Sequence, residues 1–448
     1  MKIKTRSHKV DMLNGPLAWK IFMFALPLAL SSILQQLFNS ADLAVVGRFA
    51  SSQAMAAVGA NGSPINLIVS LFTGLSLGAN VAIGTFIGQN DERKTNEAVE
   101  SAFTISLICG LILVPVGLAV SRPLLVLMDT PEDVLELAVL YLRIYFLAVP
   151  FIMVYNFGSA ILRAKGDSNR PLLCLVVSGV VNVILNLFFV IICGMSVDGV
   201  AIATVISNII SAGMVTYFLI KESGALHLSL RCLKIKKEYL VKMARIGLPA
   251  GLQGMVFSLS NVVIQSAINS FGSDAIAGTT AGQNFEFMDY FIVNAFAQAA
   301  VTFTSQNYGA GKYDRCKRVF LITMVMGESL TLALSMFFWL GRGLFIQMFT
   351  TDATVISYAM IRMLYVSNLE IGTGTYEISG GCLRGMGVSM PPTILTIFGS
   401  CVFRLIYVAT IFERFHSYTA LVLVYPISWA ITGTAVITLY FIMRKKLM

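Results

Sequence analysis

The sequence predicts an all-α polytopic membrane protein with twelve transmembrane helices in two pseudo-symmetric six-helix bundles around a central cleft. Three observations predict it. The 448 residues are 56% hydrophobic and only 12% charged, about half the charged share of an ordinary soluble domain. Apolar runs of about 20 residues, each enough to cross a bilayer, recur from end to end. The second half of the chain also repeats the motifs of the first.

The apolar runs place spans near 17–41, 53–79, 98–120, 134–157, 169–192, 198–220, 243–269, 276–301, 317–340, 353–378, 391–412 and 418–443. Most polar connectors are short, so consecutive spans are expected to be antiparallel neighbours. The exception is "KESGALHLSLRCLKIKKEYLVKMAR" after span six. The expected organisation is a six-helix lobe over 1–220, a basic connector over 221–242 and a second six-helix lobe over 243–448. The basic, polar N-terminus lacks a small-residue cleavage site after its first apolar run, so no cleavable signal peptide is expected.

Of the 32 Lys and Arg residues, 25 fall in the terminal segments and the even-numbered loops. Positive residues remain cytoplasmic, which predicts both termini on that side of a plasma (bacterial inner) membrane. The net charge of +9 is therefore a topology signal and not a nucleic-acid footprint. Anionic headgroups among the membrane lipids are the partners it implies.

Chemistry-bearing motifs are sparse. Cysteines 109, 174, 193, 232, 316, 382 and 401 are scattered and form no CxxC pair, so they read as reduced structural thiols. The histidines are His8, His227 and His416, which allow no HExxH motif. No nucleophile and base cluster, Walker-type loop or structural metal site is legible. No enzyme activity and no cofactor are expected.

The repeat is specific. "FALPLAL" (24–30) matches "IGLPAGL" (246–252) and sets Pro27 on Pro249, Asn39 on Asn261 and Phe49 on Phe271 at a shift of 222. "LRAKGDSNRP" (162–171) matches "LRGMGVSMPP" (383–392) at a shift of 221. An even number of spans per copy gives both bundles the same orientation. Parallel repeats of this kind are a transporter architecture.

Several polar groups interrupt the apolar runs. Ser31, Gln35, Asn39 and Asp42 share one face of span one. A stripe ending in a carboxylate should face protein or a water-filled cavity; the alternative is a solvated helix end at the extracellular interface. The second copy keeps amides at Asn261, Gln265 and Asn269 but has Ile264 where the first has Asp42. Asn182 and Asn186 share a face of span five, and Thr204 and Asn208 a face of span six. Glu286 and Asp289, Glu328, Arg362, Glu370, Glu377 and Arg404 are further intramembrane charges. Acids there would attract cationic compounds, or would pair with Arg362 or Arg404.

"GLPAGLQGMVFSLSNVVIQSAINSFG", "TSQNYGAGKYDR", "LRGMGVS" and "NVILNLFFV…DGVAIATVISN" resemble the multidrug and toxic compound extrusion (MATE) family, in particular its bacterial DinF-like branch. The resemblance runs from Pro16 to the last span. It implies two lobes around a central cleft that export cationic or lipophilic small molecules, without ATP, in exchange for H+ or Na+. It also implies that Asp42 is the cation-coupling residue, with Asn39, Gln35, Asn182, Asn186 and Thr204 around it. The family often has Asp where this chain has Asn186. An amide cannot titrate, so a coupled proton would rest mainly on Asp42, and H+ is favoured over Na+, although Na+ at Asp42 stays open. Glu377, Glu370, Glu286, Asn261 and Gln265 are the substrate-cleft candidates, and a monomer is expected. A lipid-linked oligosaccharide flippase of the same superfamily is the alternative. Such a protein would need inward-facing cations for a pyrophosphate, whereas intramembrane acids here slightly exceed bases.

Overall fold

The structure, a computed structural model, describes residues 10–128, 130–230 and 233–448. Among these there is no strand. In chain order the helices are α1 (Leu17–Phe49), α2 (Ser52–Ala60), α3 (Gly62–Gly88), α4 (Glu92–Leu127), α5 (Glu132–Ala164), α6 (Asn169–Leu187), α7 (Val197–Lys221), α8 (Lys237–Asn269) and α9 (Ser273–Gly309). They continue with α10 (Tyr313–Leu340), α11 (Arg342–Gln347), α12 (Ala353–Tyr365), α13 (Ile371–Gly385), α14 (Met390–Thr396), α15 (Phe403–Tyr407), α16 (Glu413–Phe415), α17 (Tyr418–Val422) and α18 (Val424–Leu447).

All twelve expected spans are helical, and ten of them are long and apolar enough to cross a membrane. The other two carry a polar load. α9 is one continuous helix but contains Glu286 and Asp289. The tenth span is broken: a 3-10 turn at Ser367–Leu369 separates α12 from α13. Several helices overshoot the predicted limits. The 36 residues of α4 extend about 54 Å, well beyond the roughly 30 Å of hydrocarbon, so its ends lie in the interface.

Local chemistry sets the ends. Asp91 caps α4 by accepting from the Lys94 amide at 2.9 Å, and Asp352 caps α12 through the amides of Thr354 and Val355. The duplicated LRxxG motif ends α5 and α13 in the same way. Gly166 (φ +95°) and Gly387 (φ +85°) both take a left-handed turn that a side chain would strain.

The chain forms two compact units. The first comprises Leu30–Leu248 with the described residues before Met12; the second comprises Met12–Ala29 and Pro249–Met448. α1 and α8 therefore each contribute residues to both units. α1 changes units one turn after Pro27, and α8 changes units at Pro249. Proline removes a ladder donor and bends a helix, so each long helix is divided where its backbone is weakest.

Within the first unit, the start of α8 is held by close backbone packing. Gly74 and Gly78 of α3 meet Met243 and Gly247 of α8, and a Cβ on Gly78 would lie 2.1 Å from the Met243 carbonyl oxygen. This is small-residue packing of the kind that joins membrane helices. Within the second unit, the start of α1 is held by polar bonds. Asn307 Nδ2 and Arg315 Nε both donate to the Met12 carbonyl at 3.1 Å.

The basic connector is shorter than its expected span of 221–242, because α8 already begins at Lys237. It is pinned to α4. His227 accepts from Asn96 at 2.9 Å, and Lys236 pairs with Glu97 at 2.6 Å, where Tyr239 also donates. Arg231 and Cys232 of the connector lie outside the described residues, as does His8.

A buried charge cluster lies at the end of α7, where the connector starts. Glu222, just past α7, is 2% exposed in its side chain and takes Lys165 at 2.6 Å and Arg170 at 2.5 Å. Arg170 also reaches Asp167 at 3.1 Å.

Candidate functional site

The first unit gathers a carboxylate and two amides. Gly179, Asn182 and Asn186 of α6 are spaced three and four residues apart, so they share one face. On α1, Phe38 and Asp42 are spaced by four. The missing side chain of Gly179 admits the Phe38 ring: a Cβ there would lie 1.9 Å from it. One turn further along α1, Asp42 Oδ1 accepts from Asn186 Nδ2 at 2.5 Å, and the same amide nitrogen donates to Asn182 Oδ1 at 3.3 Å. Asn182 and Asn186 are buried, while Asp42 is partly exposed.

Asn186 Oδ1 is buried with no partner. A buried acceptor without a donor is costly, and here it lies on the side chain that binds Asp42. The π-helical turn Phe188–Ile192 begins two residues later. Such turns widen the backbone and often mark functional positions.

Two further residues join this site from α5 and α7. Thr204 donates to the Val200 carbonyl at 3.0 Å within α7, and Tyr141 is buried on α5. Tyr141 was not legible as a site residue. Its only signal is an i, i+4 pair with Tyr145, whose ring lies 6.4 Å away, and aromatics at that spacing usually serve packing. Asn208 turns back to the Thr204 carbonyl at 2.8 Å. Gln35 and Asn39 are exposed on α1 and make no side-chain hydrogen bond to Asp42. They extend the polar stripe without entering the cluster.

In the second unit, the position that repeats Asp42 is Ile264, 1% exposed. Asn261 is exposed, and Gln265 donates to Asn269 at 3.0 Å. Of the expected acids, Glu286 is held by Arg362: its Oε2 accepts from Nη2 at 2.7 Å and from Nε at 2.9 Å. Internal pairing thus occupies this acid, the alternative to substrate contact. Glu377 faces Arg384 at 3.8 Å, and Glu370 is 3% exposed at the helix break. Asp289 accepts from Ser367 at 2.8 Å. Arg404 makes no ion pair among the described residues; its Nε donates to Ser428 and its guanidinium lies over Tyr425 and Phe257.

The packing at Gly179 carries its own expectation. Gly179→Val would push the Phe38 ring and α1 away from α6, separating Asp42 from Asn186. Cross-linking of cysteines placed at positions 42 and 186 should fall several-fold in this background while the protein still inserts and purifies as a folded species. Unchanged cross-linking would show that the α1–α6 contact does not set the site.

The MatE family model matches residues 27–188 and again residues 249–410. The chain belongs to the MatE family. The two matches are set 222 residues apart, the same shift that places Pro27 on Pro249. This MatE chain is similar to the probable multidrug resistance protein YoeA of Bacillus subtilis (strain 168), with 29% identity over 86% of this chain and 85% of the relative. It is also similar to the multidrug export protein MepA of Staphylococcus aureus (strain NCTC 8325 / PS 47), with 22% identity over 97% and 96%. Among solved structures, an outward-facing multidrug resistance MATE family transporter of the MOP superfamily superposes with a TM-score of 0.91 at 23% identity, covering 98% of each chain. A MOP superfamily transporter from Pyrococcus furiosus Vc1 (DSM3638) matches equally well, with a TM-score of 0.91, 23% identity and 98% coverage of each chain. These likenesses establish the fold: this is a multi-pass, all-α MatE membrane protein.

Proposed function

We propose that this MatE protein is an antiporter that exports cationic or lipophilic small molecules by alternating access, driven by protons entering at Asp42. The observation that carries the reading is the Asp42–Asn186 contact. It joins one carboxylate to an amide that cannot titrate, beside an acceptor, Asn186 Oδ1, that lacks a donor. Protonation of Asp42 supplies such a donor: after an amide turn, the new carboxyl O–H can serve the Asn186 carbonyl oxygen. This changes how α1 is held against α6. Na+ has fewer oxygens to use here, since a hard cation takes about six and the cluster presents chiefly Asp42, Asn182 and Asn186.

The named relatives are multidrug proteins, which supports small-molecule export over the flippase alternative. The loop charges support a plasma-membrane protein with cytoplasmic termini, and nothing in the reading requires more than one copy. The test is ethidium movement in proteoliposomes under an imposed pH gradient and, separately, an imposed Na+ gradient at constant pH. The pH gradient should drive transport and the Na+ gradient should not. Transport driven by Na+ alone would transfer the coupling role from the proton to the cation.

A further inference from the structure

A second carboxyl, in the other unit, has both of its oxygens buried. Glu328 lies midway along α10, which packs on α9 and α13. Its carboxyl sits on the bare backbone of Gly374 in α13: a Cβ built there would lie 2.3 Å from Oε1 and 2.9 Å from the carboxyl carbon. One residue earlier, Gly327 lets Ile378 of α13 and Phe296 of α9 close over the same stretch. Both Glu328 oxygens are buried and neither has a hydrogen-bond partner; no other carboxyl among the described residues has both oxygens so placed. Thr331, one turn further along, is 0% exposed, and its hydroxyl also lacks a partner.

The charged and titratable groups of the surrounding elements are engaged elsewhere or have no bond to Glu328. On α9, Glu286 is paired with Arg362 and Asp289 takes Ser367. On α13, Glu377 faces Arg384. Tyr290, Tyr376, Cys382 and the buried Glu370 at the helix break make no hydrogen bond to Glu328. An ionised carboxylate enclosed without donor or cation would cost several kcal/mol or more. Something must neutralise it, and the space over Gly374 is already filled by the carboxyl itself. Only a proton fits.

We propose that Glu328 is a proton-binding site: its carboxyl holds a proton while α10 and α13 are packed together and gives it up when that seam opens to water. On opening, the O–H bond breaks, the proton passes to water, and the carboxylate keeps the electron pair in the wetted seam. The open seam is the ionised state, so rising pH favours opening. The site is separate from Asp42 and does not depend on which ion the protein carries.

The test uses the full chain in lipid nanodiscs at neutral pH. The infrared spectrum of wild type minus Glu328→Gln should show the carbonyl stretch of a carboxylic acid; a carboxylate stretch in its place would overturn the proposal. Hydrogen exchange of α13 peptides, corrected for its intrinsic pH dependence, gives the second readout. The opening constant should rise about tenfold per pH unit in wild type, the slope of a one-proton linkage, and stay flat in Glu328→Gln. A flat wild-type profile would overturn it. If Glu328→Gln does not fold, the wild-type exchange profile decides: a rise of about tenfold per pH unit supports the proposal and a flat profile overturns it.

Discussion

Asp42→Asn should reduce pH-driven ethidium efflux by roughly 100-fold, the lower end of the effect of removing a positioned proton acceptor, while leaving the protein folded and inserted. The substitution keeps the shape of the side chain. The contact with Asn186 survives in altered form, because two amides can still bond to each other. What disappears is the choice between a charged acceptor and a neutral donor at the end of the α1 stripe. The duplicated unit offers no replacement, since Ile264 stands at the equivalent position, and Asn186 cannot take a proton. The diagnostic measurement is uncoupled exchange. Asp42→Asn should still bind ethidium, read by fluorescence anisotropy, with an affinity that no longer changes with pH. If efflux persisted at the wild-type rate, the coupling proton would have to bind elsewhere.

Glu222→Ala should destabilise the protein by roughly 3 kcal/mol, near the low end of the cost of breaking a buried ion pair. The low end applies because Lys165 and Arg170 keep 21% and 23% of their side chains exposed and can recruit water. The loss leaves two cations facing one another across the space that the carboxylate filled, with Asp167 answering only Arg170. Glu222→Gln retains the packing and one acceptor oxygen, so it should cost less than the alanine variant. Thermal unfolding in detergent, with both variants compared at low and high salt, checks the ordering. Equal melting temperatures for wild type and Glu222→Ala would mean that the cluster is decorative.

The helical architecture was legible because hydropathy in a membrane is a strong constraint: a backbone in hydrocarbon must satisfy its own hydrogen bonds. α9 was legible as a span in spite of Glu286 and Asp289, because the apolar run over 276–301 continues around them. The break at Ser367–Leu369 was not legible, since no proline or glycine marks it. The exchange of α1 and α8 between the units was half legible. Pro27 and Pro249 announce a bend, but nothing local states which neighbours each half-helix will meet. The same limit applies at the candidate site. Spacing showed that Asn182 and Asn186 share a face and that Asp42 ends a polar stripe, whereas the meeting of those faces depends on Gly179 admitting Phe38, a tertiary fact. Pairing of Glu286 stood among the alternatives, but the choice of Arg362 over Arg404 required the packing of α9 on α12.

The division of α1 and α8 also bears on the order of synthesis. Membrane domains generally form as their segments emerge, the N-terminal one first. Here the first unit cannot be finished when its sixth span leaves the ribosome, because it still awaits Lys237–Leu248 from beyond the connector. Met12–Ala29 belongs with partners that begin at Pro249, about 220 residues later in the chain, and must wait for them to be made. Met12–Ala29 therefore finds its place only after the six spans that follow it, and two halves produced as separate polypeptides would each lack a piece carried by the other.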